Sequence, residues 1–412
     1  MPERVILHVD CNSFYASVEL LGHPELATRP VAVADSADAR HGIILAKNEA
    51  AKKYGVQTAE TVWRAWQKCP ELVLLPPHHR EYSRWSAKIN DIYAGYTDRV
   101  EPFGIDESWL DISGSWHLFD SSPLAVADRL RKEVRESTRL TVSVGISFNK
   151  IFAKLGSDYK KPDACTEITR ENYRELLWPL PVGDMLYVGG KVRGILADLG
   201  IRTIGELAGA DAALLQKLLG KQGPQLIGYA RGEDASPVAR AGEHEPPKSV
   251  GNGLTFRRDL VGEKDIRVGV GSLADEVAWR LRRQHLYAGS LQVLIRDPQF
   301  KSISRQKPLP YATHLAKDLT AAAMQLIRDN WDMRKPIRML TVTAQQLTDM
   351  PFATQTSLFG GEQRADPRRE KLETSIDAIR EKYGRTSILQ AGELHNDIGV
   401  DGRANPEEEE NE

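Results

Sequence analysis

Acidic residues at the ends of apolar runs are the first feature of this sequence that could do chemistry. Asp10 closes the run Arg4-Val-Ile-Leu-His-Val9, and Asp106-Glu107 lies within Val100-Glu-Pro-Phe-Gly-Ile-Asp-Glu-Ser-Trp-Leu-Asp111. Successive strand residues point to opposite faces, so Asp106 and Glu107 cannot both aim one way in mid-strand. A turn at about 103–105 would leave both at a strand start, where the longer Glu107 side chain compensates. Three carboxylates gathered with no Lys or Arg nearby raise one another's pKa. Divalent cations relieve that repulsion: Mg²⁺ takes one or two carboxylates plus waters and substrate phosphates, and ions paired ~3.5–4 Å apart serve phosphoryl chemistry. The bland alternative is a set of strand-edge acids facing water. Asp10 also opens Asp10-Cys-Asn-Ser-Phe-Tyr-Ala-Ser-Val-Glu19. A helix starts there at once, with Asn12 or Ser13 as N-cap, and its free amides suit a phosphate. Phe14 and Tyr15 read either as core aromatics or as nucleotide contacts.

The elements that must position these acids follow from the pattern. The run to Val9 predicts a buried strand, and residues 13–21 a helix. From 30 to 77, strand-like pieces (30–34, 42–46, 72–75) alternate with short helices (49–54, 61–68). Helices are expected over 80–96, 123–136 and 149–157, a hairpin strand over 103–112, and a strand over 141–147. Residues 170–235 read as short helices punctuated by glycine, including Val188-Gly-Gly-Lys-Val192. The Pro-, Gly- and charge-rich stretch 235–248 suggests a linker. Residues 249–348 alternate strands (290–296, 338–344) and helices (270–284), a small α+β module. Beyond Met350 only an amphipathic helix at about 366–383 stands out, and the acidic end Pro406–Glu412 is expected to be disordered.

Bulk properties narrow the class. At 412 residues the chain suits two to four domains. No apolar run approaches the ~20 residues of a membrane span, and because the N-terminus runs into a strand-like segment no cleavable leader is expected. Cys11, Cys69 and Cys165 lie far apart, which fits a reducing cytoplasm rather than a disulfide framework. The net charge of −2 conceals a division. Residues 240–348 carry 18 Lys and Arg against 11 Asp and Glu, whereas 349–412 carry 8 against 15. A basic module is followed by an acidic tail.

Three strings now carry a resemblance: His8-Val-Asp-Cys-Asn-Ser-Phe-Tyr-Ala-Ser-Val-Glu19, Val100–Asp111, and Ser143-Val-Gly-Ile-Ser-Phe-Asn-Lys-Ile-Phe-Ala-Lys-Leu-Gly-Ser-Asp-Tyr-Lys-Lys-Pro162. In order and spacing they resemble the main motifs of Y-family translesion DNA polymerases, and the likeness runs from about residue 4 to 390. It implies an α+β, multidomain right hand: palm 1–12 and 78–165, fingers 13–77, helical thumb 166–238, linker 239–248, little finger 249–348, and a C-terminal tail 349–412. The implied activity is template-directed, error-prone DNA synthesis by two Mg²⁺ ions, one lowering the pKa of the primer 3′-hydroxyl, the other holding the triphosphate. Asp10, Asp106 and Glu107 match the metal-binding acids, with the Cys11 carbonyl as a further ligand. Tyr15 matches the steric gate that excludes a 2′-hydroxyl. Ser13, Phe14 and Lys52 match positions around the incoming dNTP, and Lys161, and less directly Lys154, match basic residues facing the incoming nucleotide or the catalytic site. The implied partners are primer-template DNA, dNTP and a sliding clamp (β subunit); the implied state is a cytoplasmic monomer.

Distal segments extend the likeness. Leu186–Gly200 followed by Thr203–Leu207 resembles a helix-hairpin-helix, in which Gly189, Gly190 and Lys191 approach a DNA phosphate; a glycine turn between packed helices is the plain alternative. Arg257, Arg258, Arg280, Arg282, Arg283, Arg296, Lys301, Arg305 and Lys307 are candidates for gripping DNA backbones, each equally readable as a solvated charge. Gln355-Thr-Ser-Leu-Phe359 resembles a clamp-docking peptide, with Leu358 and Phe359 as apolar anchors and Gln355 and Ser357 as polar contacts. One departure concerns Ala46–Gly55, where family members commonly carry Tyr and then Arg against the triphosphate. Here Glu49 and Lys52 stand instead. Lys52 is a point charge without the fork of Arg, and Glu49, which repels phosphate, is expected to face away. A weak affinity for the incoming nucleotide follows.

Three other readings compete. A damage-tolerance scaffold would bind primer-template without synthesis, but all three acids are present. A nucleotidyl cyclase has no role for the thumb, the basic module or the clamp-like peptide. A two-metal nuclease lacks a fourth acid or His. No region is left over for a separate proofreading exonuclease, so errors are expected to go uncorrected, and residues 360–395 and the acidic tail carry no readable chemistry.

Overall fold

The computed structural model describes residues 4–34, 42–243, 246–350, 367–394 and 396–400. The chain divides into two compact units, Met1–His244 and Glu245–Glu412.

The first unit is built on the five-stranded sheet β5-β6-β1-β7-β8. Its strands are β1 (Ile6–Cys11), β5 (Val100–Pro102), β6 (Glu107–Asp111), β7 (Val142–Ser147) and β8 (Cys165–Ile168). The apolar run of β1 is buried along its whole length because both faces of the sheet are covered. Leu7, Val9 and Cys11 face a core shared with α4 (His79–Ala94) and α5 (Pro123–Thr138). Ile6, by contrast, joins Trp109 and Ala153 on the opposite face, under α6 (Lys150–Tyr159). That helix starts at Asn149, whose side chain accepts from the Phe152 amide. It lies directly on β7, since a Cβ on Gly145 would sit 1.9 Å from the Ala153 carbonyl oxygen. The expected hairpin strand over 103–112 is in fact two strands, β5 and β6, joined by a turn at 103–106.

A smaller sheet, β3-β2-β4, comprises β2 (Val31–Ala34), β3 (Ile44–Lys47) and β4 (Val73–Leu75). Helices α1 (Phe14–Gly22), α2 (Glu49–Lys53) and α3 (Val62–Lys68) accompany it. Asn48 and Thr61 cap α2 and α3. Residues 173–230 form five short helices, α7 (Tyr173–Leu177), α8 (Gly190–Asp198), α9 (Ile204–Ala208), α10 (Ala212–Leu219) and α11 (Gln222–Ala230), around one core.

The second unit carries the antiparallel sheet β11-β10-β12-β9: β9 (Ser249–Leu260), β10 (Tyr287–Arg296), β11 (Ser302–Thr313) and β12 (Ile337–Thr348). Helices α12 (Gly262–Arg283) and α13 (Ala316–Asn330) pack on it. The module expected to end at 348 does not end there. Helix α14 (Pro367–Tyr383) and the segment to Val400 complete it, with Ile398 and Val400 in the same core. Buried Arg282 pairs with Glu373 and with Asp377 at 2.6 Å, and buried Arg380 with Asp275 at 2.6 Å. The clamp-like peptide 355–359 lies outside the described residues. Among the described residues no helix is long and apolar enough to cross a membrane.

Candidate active site

Asp10 and Glu107 are direct partners in the antiparallel register of β1 and β6. Opposed residues in such a pair project from the same face, so two acids distant in sequence emerge side by side. Asp106 precedes the strand in the 103–106 turn, and its carbonyl accepts from the Cys11 amide at 2.9 Å. Alternation along one strand therefore does not separate the acids.

Neither acid-bearing string contains a Lys or Arg, but the fold brings to these acids the two lysines that the resemblance places at the site. Lys154, one turn into α6, reaches down to the sheet face, with Nζ 3.0 Å from Asp10 Oδ2 and 2.6 Å from Glu107 Oε2. Lys161 Nζ lies 2.8 Å from Asp10 Oδ1, and both lysines also contact Asp158. Burial would weaken Lys154 as a base, but Asp10, Asp158 and Glu107 together raise its pKa. Burial pushes Glu107 up, yet the Lys154 hydrogen bond and His8 close beside it hold it at about 2. Asp106 lacks such a partner: burial, with Asp10 and Glu107 beside it, pushes its pKa to about 6. Buried His8 braces the group, with Nδ1 2.8 Å from Ser157 Oγ and Nε2 3.4 Å from Glu107 Oε2.

Among the described residues no three His, Cys, Asp or Glu side chains stand as a finished metal cage. The acids here are arranged around an ammonium instead. Their donor set, all hard carboxylate oxygens already gathered about one cation, fits a divalent ion such as Mg²⁺, which would take over the compensation Lys154 supplies.

Around the start of α1, Ser13 takes a left-handed conformation (φ 51°) with no side-chain capping bond. Its hydroxyl lies instead 3.3 Å from Glu49 Oε1. Glu49 therefore does not face away: it reaches the first residue of the helix start and pairs with Lys52. The Asn12 side chain turns to Thr141 and Ser143. Phe14 is only 3% exposed and packs toward Tyr82, so its ring belongs to the core and only its backbone can meet a nucleotide. Tyr15, half-buried, stacks on Tyr82 with ring centroids 3.9 Å apart.

The distal candidates divide. Gly189 caps α8 and Gly190 begins it, and a Cβ on either would meet nothing within 4 Å; internal packing does not demand glycine there. Lys191 is exposed beside them. In the second unit Arg305 and Lys307 on the edge strand β11 hydrogen-bond the neutral side chains of Asn330 and Gln325. Arg258 is held by Asp265 and by Asp397 at 2.7 Å, and the Arg257 amide donates to the Ile398 carbonyl. Sequence reasoning placed Lys154 at the site through the resemblance but not its bridge between Asp10 and Glu107, and it missed the aromatic support under Tyr15.

Comparison with known proteins accords with this geometry. Residues 9–158 match the model of the impB/mucB/samB family, and residues 247–358 that of the impB/mucB/samB family C-terminal domain. A DNA polymerase IV of Acetivibrio thermocellus is 44% identical over 97% of this chain and 99% of its own length. DNA polymerase IV 1 of Bacillus subtilis is 36% identical over 94% of this chain and 92% of its own. A solved Y-family DNA polymerase chimera built from Dbh and Dpo4 superposes with a TM-score of 0.73 at 22% identity, covering 83% of this chain and 98% of that one. With near-complete coverage at such identity, the chain belongs to the impB/mucB/samB family, the Y-family DNA polymerases.

Proposed function

We propose that this protein is a template-directed, error-prone DNA polymerase acting in translesion synthesis and DNA repair, with Asp10, Asp106 and Glu107 holding two Mg²⁺ ions. The observation that carries the reading is the register of Asp10 with Glu107, which turns both carboxylates toward one cation while Asp106 stands at the strand start. Its substrates are primer-template DNA and a dNTP, and it depends on divalent metal. When bound, the ions activate the primer 3′-hydroxyl and stabilise the departing pyrophosphate. The protein's part is to orient and to select. Asp10, Asp106 and Glu107 would hold the ions, Glu107 next to the attacking oxygen, and the Cys11 carbonyl adds a further oxygen. Glu107 is a ligand rather than a free base, because a carboxylate bound to a divalent ion is a weak base. Ser13, the Phe14 backbone, Lys52 and Lys161 meet the triphosphate, and the Tyr15 ring lies under the sugar and rejects a 2′-hydroxyl. Gly189, Gly190, Lys191, Arg257 and Arg305 contact DNA phosphates, which makes binding salt-dependent; Arg258 contributes only on release from its two carboxylates. Gln355, Ser357, Leu358 and Phe359 dock a cytoplasmic monomer on the sliding clamp, raising its effective concentration at the primer end.

Primer extension with dNTPs and Mg²⁺ tests the reading. Wild type extends, whereas Asp106→Ala and Glu107→Ala bind primer-template and do not. A folded wild type that binds primer-template tightly but fails to extend it would point to a scaffold.

A further inference from the structure

We infer that Glu19 and Tyr82 are positioning residues that hold the Tyr15 ring in place and thereby set the sugar selectivity of the site. This rests on the reading of Tyr15 as the residue that rejects a 2′-hydroxyl. Tyr15 and Glu19 are one turn apart on α1, and i,i+4 residues share a helix face. Between them they grip one residue of α4. The Tyr15 ring lies flat on the Tyr82 ring, centroids 3.9 Å apart and planes 11° apart. Glu19 accepts a hydrogen bond from the Tyr82 hydroxyl. His79 closes the cluster edge-on, 5.9 Å from Tyr15 and 5.5 Å from Tyr82.

The anchor is unusually well provided for. Tyr82 is fully buried, and Glu19 is 7% exposed on a helix whose other buried members are apolar. A buried carboxylate is costly unless it is hydrogen-bonded, and Glu19 also accepts from the His78 amide at 3.1 Å and faces His78 Nδ1 at 2.8 Å. The Tyr82 ring is thus fixed at its hydroxyl and presents a rigid face to Tyr15. Rigidity matters because selectivity is a difference between two substrates. A gate ring that swings aside easily costs the ribonucleotide little; a stacked ring must first be unstacked. An aromatic pair of this kind corresponds to about a three- to tenfold effect on an equilibrium.

Single-nucleotide insertion of a dNTP and its matching rNTP, read as the ratio of the two kcat/KM values, tests this. Tyr82→Leu is expected to lower the ratio about three- to tenfold, whereas Tyr82→Phe, which keeps the stacking ring, restores most of it. In a Tyr15→Ala background Tyr82→Leu changes the ratio no further. A purely structural role would instead lower both kcat/KM values together. If Tyr15→Ala loses discrimination while Tyr82→Leu keeps the wild-type ratio, the positioning role is wrong and the gate stands. Retention of discrimination by Tyr15→Ala removes the gate reading and this inference with it. Should Tyr82→Leu not fold, Glu19→Gln decides: a lowered ratio supports the role, an unchanged ratio overturns it.

Discussion

Replacing Lys154 by methionine should destabilise the metal-free protein and leave the metal-bound protein much less affected. The Lys154, Asp10 and Glu107 side chains are 14%, 11% and 18% exposed, so solvent screens them poorly. Methionine keeps the length of the stem but removes the charge, leaving Asp10 and Glu107 to face each other. Removing one member of a buried ion pair costs about 3–5 kcal/mol. Lys161 still serves Asp10, which argues for the lower end, about 3 kcal/mol. For a unit of this size each kcal/mol moves the midpoint by about 2–4 °C, so the first unit should melt roughly 6–12 °C lower in EDTA. Divalent metal binds the folded carboxylates and not the unfolded chain, so saturating Mg²⁺ should recover more than half of that deficit. Calorimetry of both proteins, in EDTA and in excess Mg²⁺, reads all four midpoints. Lys150→Met is the control: that lysine is 12% exposed and pairs with Glu101 at 2.6 Å, away from the acids. Its deficit should be the same with and without metal. A Lys154→Met protein that melts with wild type in EDTA, or whose deficit ignores Mg²⁺, would show that Lys154 is not the stand-in cation.

Two further predictions concern the nucleotide side and the frame. Glu49→Gln removes a negative charge beside Ser13 and releases Lys52, so the dNTP KM should fall about fivefold, with kcat little changed, for a partly exposed charge worth ~1 kcal/mol; steady-state insertion kinetics read this, and a raised KM would mean that Glu49 instead holds Lys52 in a useful pose. Gly145→Ala places a Cβ 1.9 Å from the Ala153 carbonyl oxygen and 2.4 Å from the Ser157 nitrogen; α6 must lift off β7, at a cost of about 3 kcal/mol or more, and a denaturation midpoint near wild type would contradict the packing.

What was legible in the sequence was what is encoded locally. The strand ending at Asp10, the turn before Glu107, the helix from 149 and the amphipathic helix near 366–383 each follow from patterns a few residues long. What was not legible depends on partners brought together by the fold. Lys154 meets Asp10 across 144 residues and Glu107 across 47, and no periodicity reports that β1 and β6 share a face beneath α6. Glu19 closes a motif string, but nothing in that string marks it as an anchor, because its partner Tyr82 is 63 residues away. Ile398 and Val400 sit in a polar segment too short to show a period, so their place in the core of the second unit carries no sequence signal.

The charge blocks show the same limit from the other side. The basic surplus of 240–348 and the acidic excess of 349–412 suggest a DNA-gripping module and a solvated tail. Part of the two blocks is mutual. Glu373 and Asp377 neutralise Arg282, and Asp397 holds Arg258. Arg282 is 8% exposed in that pairing and has no surface to offer a phosphate. Arg305 and Lys307, bonded to neutral amides on the edge strand β11, keep their charge uncompensated by those bonds. A count of basic residues therefore overstates the grip of this module, and a salt-dependence slope should reflect β11 more than α12, because only charges not already answered within the fold release counterions from DNA.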